Sequence, residues 1–255
     1  MYRSLMAMVM TMLSTAVHAQ ESAQKTVVLV HGAFADGSSW EKVIPLLQAK
    51  GLKVVAVQNP LTSLADDVAA TKRALDAQNG PVVLVGHSWA GTVITEAGVH
   101  ETVAALVYVA AFAPDVGEST ADLGKGSPPP PGFETIKPDA AGFLFLTPEG
   151  VAKNFAPDLP AAQTKVMAAT QGPIFGKTFD EKVTNAAWKT KPSWYIVAAK
   201  DRMIQPDVER AMAKKINATT TTLPTSHVPM LSRPRDVAAV IVAAAQKTDV
   251  VAAGK

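Results

Sequence analysis

The chain of 255 residues contains no cysteine. A disulfide framework, a thiol nucleophile and a cysteine-based zinc site are therefore excluded. Charge is also sparse, since Asp, Glu, Lys and Arg make up 18% of the residues, the formal net charge is +2 and no basic tract occurs. Nucleic acid is for this reason not an expected partner. The 48% of hydrophobic residues must stabilise the fold through one sizeable core.

The apolar run at the N terminus is too short to span a membrane. It covers residues 5–13, follows Arg3 and precedes a stretch of small residues that ends at Ala19. This pattern is typical of a secretory signal peptide, with an uncleaved anchor as the alternative. We therefore expect a signal peptide at 1–19 and a mature domain at 20–255. The mature chain would be periplasmic or secreted by a bacterium, without membrane association after removal of the signal.

Short apolar runs alternate with longer segments whose apolar residues have helical spacing. Strands are expected at 25–30, 53–57, 81–86, 103–110, 193–199 and 218–223. Helices are expected at 38–51, 63–80, 90–100, 206–216 and 233–247. The first five strands are apolar throughout, which is typical of strands covered on both faces. The order predicts an α/β fold with a mostly parallel, doubly wound sheet of about six strands and helices on both faces.

One region, at about 115–190, interrupts this alternation and is rich in proline. Proline disfavours a continuous parallel-sheet element, so we expect an insertion of loops and short helices over the C-terminal edge of the sheet. Its aromatic residues could line an apolar pocket or pack a small core of the insertion's own; they are Phe133, Phe143, Phe145, Phe155 and Phe175. We take Phe143 and Phe145 as expected substrate contacts.

Ser88 lies at the junction of a strand and a helix in the sequence VVLVGHSWAGTVI, which covers 82–94. A strand followed by G-x-S-x-small and a helix is the pattern of a nucleophile elbow, in which a strained turn exposes the serine hydroxyl. Position 90 is Ala rather than the usual Gly, but it is still small. A serine that merely caps the helix is the alternative.

A serine hydroxyl needs a base to accept its proton, and His227 is the best placed. It follows the last predicted strand at the same sheet edge as Ser88. The other four histidines are less suitable because of their positions in the chain: His18, His31, His87 and His100.

Asp201 is the expected carboxylate partner of that histidine, because it directly follows the strand at 193–199. Asp207 and Asp115 are the alternatives. The order serine, aspartate, histidine is that of α/β-hydrolases.

An oxyanion needs two N–H donors. One is expected from the backbone of Trp89, after the nucleophile, and the other from the loop after the first strand, at Ala33 or else Phe34. Gly32 lets this loop approach the site, and His31 is expected to brace the loop through hydrogen bonds.

Four blocks of the sequence resemble the α/β-hydrolase superfamily: 27–57, 84–94, 193–207 and 226–234. The similarity is greatest to small serine carboxylesterases related to plant methyl esterases and hydroxynitrile lyases. This resemblance implies an α/β-hydrolase fold with a cap insertion and serine-ester chemistry without a metal or organic cofactor. The triad would be Ser88, Asp201 and His227. The lyases have a lysine after the catalytic histidine, whereas Val228 stands here, which favours hydrolysis.

The sequence thus predicts an exported serine carboxylesterase that acts on small esters with an apolar group. The expected substrate contacts are Phe34, Trp89, Phe143 and Phe145. A perhydrolase, a lactonase or an amide hydrolase could use the same triad. A small-molecule receptor on the same fold is the alternative from a different functional class.

Overall fold

The computed structural model describes the backbone of residues 24–252 and the side chains of residues 24–247. The expected signal peptide at 1–19 lies outside this range. Among the helices of the described part, none is long and apolar enough to cross a membrane.

A six-stranded, all-parallel sheet forms the centre of the molecule, with the strand order β2-β1-β3-β4-β8-β9. Along the chain the strands are β1 (Thr26–Val30), β2 (Lys53–Val57), β3 (Val82–His87), β4 (Val103–Val109), β5 (Ile136–Pro138), β6 (Phe143–Leu146), β7 (Ile174–Phe175), β8 (Ser193–Ala198) and β9 (Thr219–Leu223). The predicted α/β fold is confirmed. The expectation that the first five strands are covered on both faces is wrong for β2, which is an edge strand and only partly buried.

The α-helices are α1 (Ile44–Gln48), α2 (Leu64–Asp76), α3 (Ala90–Ala97), α4 (Thr120–Leu123), α5 (Pro148–Gly150), α6 (Ala161–Thr170), α7 (Pro206–Lys215), α8 (Pro229–Ser232) and α9 (Pro234–Ala252). Helices α2 and α3 pack against each other and against the sheet, and α1 and α9 form a second such pair. The helix predicted at 38–51 is divided into a 3₁₀ turn at Gly37–Trp40 and the short α1. Pro45 has no N–H to donate to a preceding turn, so it begins a new helix.

The segment between β4 and β8 is the insertion. It contains α4, α5, α6, a π-helical turn at Val151–Phe155, three 3₁₀ turns (Pro131–Thr135, Gly176–Asp180 and Ala187–Lys189), and a small antiparallel sheet in the order β5-β6-β7. We predicted loops and short helices but not this sheet. Its strands have two to four residues, which is too short for an alternating pattern to be visible in the sequence.

Parallel topology places the functional candidates at one edge of the sheet. Ala33 follows β1, Ser88 follows β3, Asp201 follows β8 and His227 follows β9. Because the carboxyl ends of parallel strands meet at the same edge, residues far apart in the chain are brought together there.

Candidate active site

The turn at Ser88 has the geometry of a nucleophile elbow. Ser88 lies in the left-handed region, with φ of 54°. A Cβ at Gly86 would lie 2.6 Å from the Ala90 carbonyl oxygen, and one at Gly91 would lie 2.1 Å from the carbonyl oxygen of Phe112. A larger side chain at position 86 would therefore push α3 away from β3, and one at position 91 would push α3 away from the segment after β4.

The structure brings together the three residues predicted as a triad. His227 Nε2 lies 2.9 Å from Ser88 Oγ, and His227 Nδ1 lies 2.5 Å from Asp201 Oδ2. The exposed fractions of Ser88, Asp201 and His227 are 7%, 6% and 1%. Since an ionised carboxylate only accepts hydrogen bonds, it holds the proton on Nδ1 and leaves the Nε2 lone pair facing the serine hydroxyl.

The Asp201 carboxylate is itself fixed by the backbone. Its Oδ1 accepts hydrogen bonds from the N–H groups of Met203 at 2.6 Å and Ile204 at 2.9 Å. Oδ2 therefore remains for His227.

The alternative carboxylates lie elsewhere. Asp207 is exposed and pairs with Arg210 on its own helix. Asp115 forms an ion pair with Lys189, whose hydrogen bond is the main cause that lowers the pKa of Asp115. The hydrogen bonds and ion pairs of the described residues connect neither carboxylate to His227.

His87 holds the backbone of His227, a role that the sequence did not indicate. Its Nε2–H donates to the His227 carbonyl oxygen at 2.8 Å, and the two rings lie 4.8 Å apart. Burial, followed by the proximity of His227, lowers the pKa of His87 well below its usual range. Phe155 contacts the His227 ring at 5.1 Å. The imidazole of His227 is therefore enclosed by two neighbouring rings.

The loop after β1 lies directly beside the serine. A Cβ at Gly32 would lie 2.8 Å from Ser88 Cβ and 2.8 Å from the His87 carbonyl oxygen. Among the described residues, none accepts a hydrogen bond from the backbone N–H groups of Ala33, Phe34 or Trp89. These three N–H groups are the expected oxyanion donors, and this part of the expectation stays a prediction.

His31 braces this loop from behind. Its Nε2 accepts from the Asn59 N–H at 2.9 Å, so Nδ1 carries the proton and donates to the Gly32 carbonyl oxygen at 2.9 Å. Burial lowers the pKa of His31, which favours this neutral form. The imidazole thereby links the loop to the segment after β2.

The side chain of Trp89, an expected substrate contact, does not line the cavity above Ser88. The indole is fully buried, donates from Nε1 to Asp67 Oδ2 at 2.7 Å, and packs against Phe179 with ring centres 5.5 Å apart. Asp67 also accepts from the Leu61 N–H at 2.7 Å. Burial raises the pKa of Asp67 to about 6, although both hydrogen bonds act in the opposite direction. The indole therefore orients the backbone that follows Ser88.

A cavity of about 390 Å³ opens above Ser88 and His227. Phe34 contributes to it, as expected. The other large lining side chains come from the loops after β4 and β8 and from the insertion: Phe112, Phe133, Ile136, Leu144, Phe179, Met203 and Ile204. Of the described residues that line it, none is Asp, Glu, Lys or Arg. Within the same described range, no cluster of three or more metal-ligating side chains occurs.

Phe143 and Phe145 do not line this cavity, so the geometry does not favour their expected role as substrate contacts. Leu144 between them faces the cavity, and side chains alternate along a strand, so its neighbours point to the other face of β6. Phe143 instead packs against Phe175 at 5.3 Å, and Phe145 is 37% exposed.

Sequence reasoning also missed lining residues that it could have found. Phe112 follows β4, and Met203 and Ile204 follow Asp201, so all three lie at the edge where the site was expected. Phe179 comes from an irregular part of the insertion, and no local pattern marks it.

The comparisons with known proteins agree with this geometry. A family model described as "Alpha/beta hydrolase family" matches residues 27–240. Methylesterase 3 of Arabidopsis thaliana is 26% identical, over 89% of this chain and 98% of its own. A pyrethroid hydrolase of Sphingobium wenxiniae is 28% identical, over 84% of this chain and 85% of its own. The crystal structure of polyneuridine aldehyde esterase shares the fold, with a TM-score of 0.75 at 20% identity, over 86% of this chain and 98% of that one.

Proposed function

The chain belongs to the alpha/beta hydrolase family and is a carboxylic ester hydrolase, and we propose that it cleaves neutral esters through an acyl-enzyme on Ser88. The observation that carries this proposal is the line of hydrogen bonds from Asp201 through His227 to Ser88, which ends in an uncharged cavity. Nucleophile, base and orienting carboxylate are then all present in the order that acyl transfer requires.

In the first half of the reaction, Ser88 Oγ attacks the ester carbonyl carbon while His227 Nε2 accepts its proton. The negative charge that develops on the carbonyl oxygen is stabilised by the Trp89 N–H and by the Ala33 or Phe34 N–H. Collapse of this intermediate breaks the bond to the alcohol. The alcohol leaves with the proton from His227, and the acyl group stays on Ser88.

In the second half, water takes the place of the alcohol. His227 accepts a proton from the water as it attacks the acyl carbonyl, and it returns that proton to Ser88 as the acid leaves. Asp201 stabilises the imidazolium in both halves and keeps its own charge throughout.

The cavity favours an uncharged, apolar substrate. Its lining is dominated by aromatic and aliphatic side chains, and no ionised side chain is there to pair with a charge on the substrate. A second cavity of about 310 Å³ shares Phe112, Phe133 and Met203 with the first and extends toward Pro128 and Pro130. Space for an apolar group is therefore present on more than one side of the ester. Relatives named methylesterase and pyrethroid hydrolase support an ester substrate.

A pair of p-nitrophenyl esters of equal length tests this proposal. We expect p-nitrophenyl hexanoate to be hydrolysed with a kcat/KM about 100-fold above that of the p-nitrophenyl monoester of adipic acid, since desolvating an unpaired carboxylate is costly. Release of p-nitrophenol under steady-state conditions gives both values. Equal values would contradict the preference for neutral esters. Release of one equivalent or less, without turnover, would indicate a receptor.

We also propose that the enzyme is exported, on the basis of the apolar run at 5–13 and the small residues before position 20. Expression of the full chain in a Gram-negative host should give a periplasmic protein that begins at Gln20. N-terminal sequencing measures this. A cytoplasmic protein that retains Met1 would contradict export but would leave the esterase proposal unaffected.

A further inference from the structure

A buried glutamate on α7, Glu209, has no part in the reaction described above. Its exposed fraction is 0%. The Ala198 N–H, at the end of β8, donates to its Oε2 at 2.9 Å. Its other oxygen, Oε1, is buried, and no N–H or O–H group of the described residues donates to it. Buried polar atoms are rarely left without a partner, so the protonation state of this group needs an explanation.

The Asp201 carboxylate lies within electrostatic and hydrogen-bonding reach of Glu209. Two ionised carboxylates cannot hydrogen-bond to each other, and burial makes their repulsion costly. One of the two must therefore carry a proton. Asp201 accepts hydrogen bonds from Met203, Ile204 and His227, whereas Glu209 accepts one among the described residues, from the Ala198 N–H.

Among the described residues, no cationic group forms an ion pair with Glu209. Tyr195 also interacts with it, but this phenol donates its proton to a backbone carbonyl. Arg210 is half-exposed and pairs with Asp207. Burial first, and the charge of Asp201 second, raise the pKa of Glu209 well above its usual range. The first turn of α7 favours negative charge, but this effect is small for a fully buried carboxyl group.

We propose that Glu209 is a positioning residue that stays protonated and donates a hydrogen bond from Oε1 to the Asp201 carboxylate. The hydrogen-bonded line then has four members: Ser88, His227, Asp201 and Glu209. This inference rests on the proposed function, because it assigns Glu209 the task of keeping Asp201 aligned with His227. A protonated Glu209 also leaves one negative charge, rather than two, on the side of the His227 imidazole that faces away from Ser88.

The raised pKa of Glu209 determines how the stability of the folded protein changes with pH. A carboxyl group that is more basic in the folded protein binds its proton more tightly there than in the unfolded chain. Its contribution to stability is therefore complete below the unfolded pKa and is lost as pH rises toward the folded pKa. Ionisation of Glu209 at alkaline pH would place two charges side by side and displace Asp201. A Glu209→Gln variant removes this ionisation while its amide still donates to Asp201.

Infrared difference spectroscopy at pH 8 tests the protonation directly, and it does not depend on catalytic activity. The spectrum of wild type minus Glu209→Gln should contain the carbonyl stretching band of a protonated carboxylic acid. A difference that contains only carboxylate bands would overturn the proposal. Because the Ser88→Ala protein can be used as the background for both samples, the result stands even if the esterase assignment fails.

Kinetics test the positioning role. Glu209→Gln should have a kcat close to that of wild type and should keep its activity to higher pH. Glu209→Met is similar in size but has no hydrogen-bond donor, so its kcat should be about tenfold lower than that of wild type, with little change in KM. A loss of this size is typical when a residue that orients a catalytic group is replaced. A Gln variant as impaired as the Met variant would overturn the proposal, as would a fully active Met variant. If the Met variant does not fold, the Gln variant's pH profile and the infrared band still decide the question.

Discussion

A chain in which Ser88 is replaced by alanine is expected to keep its fold and to lose ester turnover by on the order of 10⁶-fold in kcat. The substitution removes the hydroxyl oxygen that lies 2.9 Å from His227 Nε2, while the cavity and the N–H donors remain. Binding of the ester should therefore persist without formation of an acyl-enzyme. Steady-state hydrolysis of p-nitrophenyl hexanoate, with a rapid-mixing search for a burst, measures the loss.

Thermal unfolding provides the control for this variant. Alanine can occupy the same backbone conformation as serine at φ 54°, so the melting temperature should be close to that of wild type. A folded Ser88→Ala protein with substantial ester hydrolysis would show that the nucleophile lies elsewhere. In that case the hydrogen bond between His227 and Ser88 would be structural.

The second large effect on kcat is expected when the Asp201 carboxylate is replaced. Asp201→Asn should lower kcat by roughly 10⁴-fold with a folded protein. The amide oxygen of asparagine can still accept from Met203 and Ile204, so its nitrogen would face His227. The imidazole must then accept at Nδ1 and carry its proton on Nε2. A ring in this tautomer cannot take the proton of Ser88.

Asp207→Asn is the matched control for this prediction. Asp207 is the exposed alternative that lies six residues further along the chain and pairs only with Arg210. We expect its kcat and KM to equal those of wild type in the same assay. Comparable losses in the two variants, or a loss confined to Asp207→Asn, would refute the assignment of Asp201.

The sequence was sufficient to predict where distant residues meet. Apolar runs of five to seven residues marked five of the six strands of the central sheet, and parallel order put their carboxyl ends at one edge. That Ser88, Asp201 and His227 lie together follows from this topology and from the small residues around the serine. The packing of α3 against β3 and the segment after β4 leaves no space for a larger residue at Gly86 or Gly91, so the elbow has a local sequence signature.

Side-chain direction was harder to predict. Trp89 directly follows the serine, yet its indole turns toward Asp67 because a buried carboxylate accepts the indole N–H there. Phe143 and Phe145 lie on the face of β6 that points away from the cavity. Sequence alone shows which residues share a face of a strand, but not which face meets the substrate. That choice depends on how the small antiparallel sheet of the insertion packs over the main one.

Contacts between residues far apart in the chain could also not be predicted from the sequence. His87 supports the backbone of a residue 140 positions away, and Glu209 reaches the end of β8 from the next helix. Neither belongs to a local motif. An acidic residue in the first turn of a helix is ordinarily explained by the helix dipole, so its burial was not foreseeable.

Covalent labelling tests the central claim most directly. The wild-type protein would be treated with a fluorophosphonate, which reacts with activated serines, and the modified residue would be mapped by peptide mass spectrometry. The account predicts a single adduct on Ser88 that is lost in the His227→Ala protein. An adduct on another residue would contradict this prediction. Full ester turnover by a protein whose Ser88 has been labelled would also contradict it.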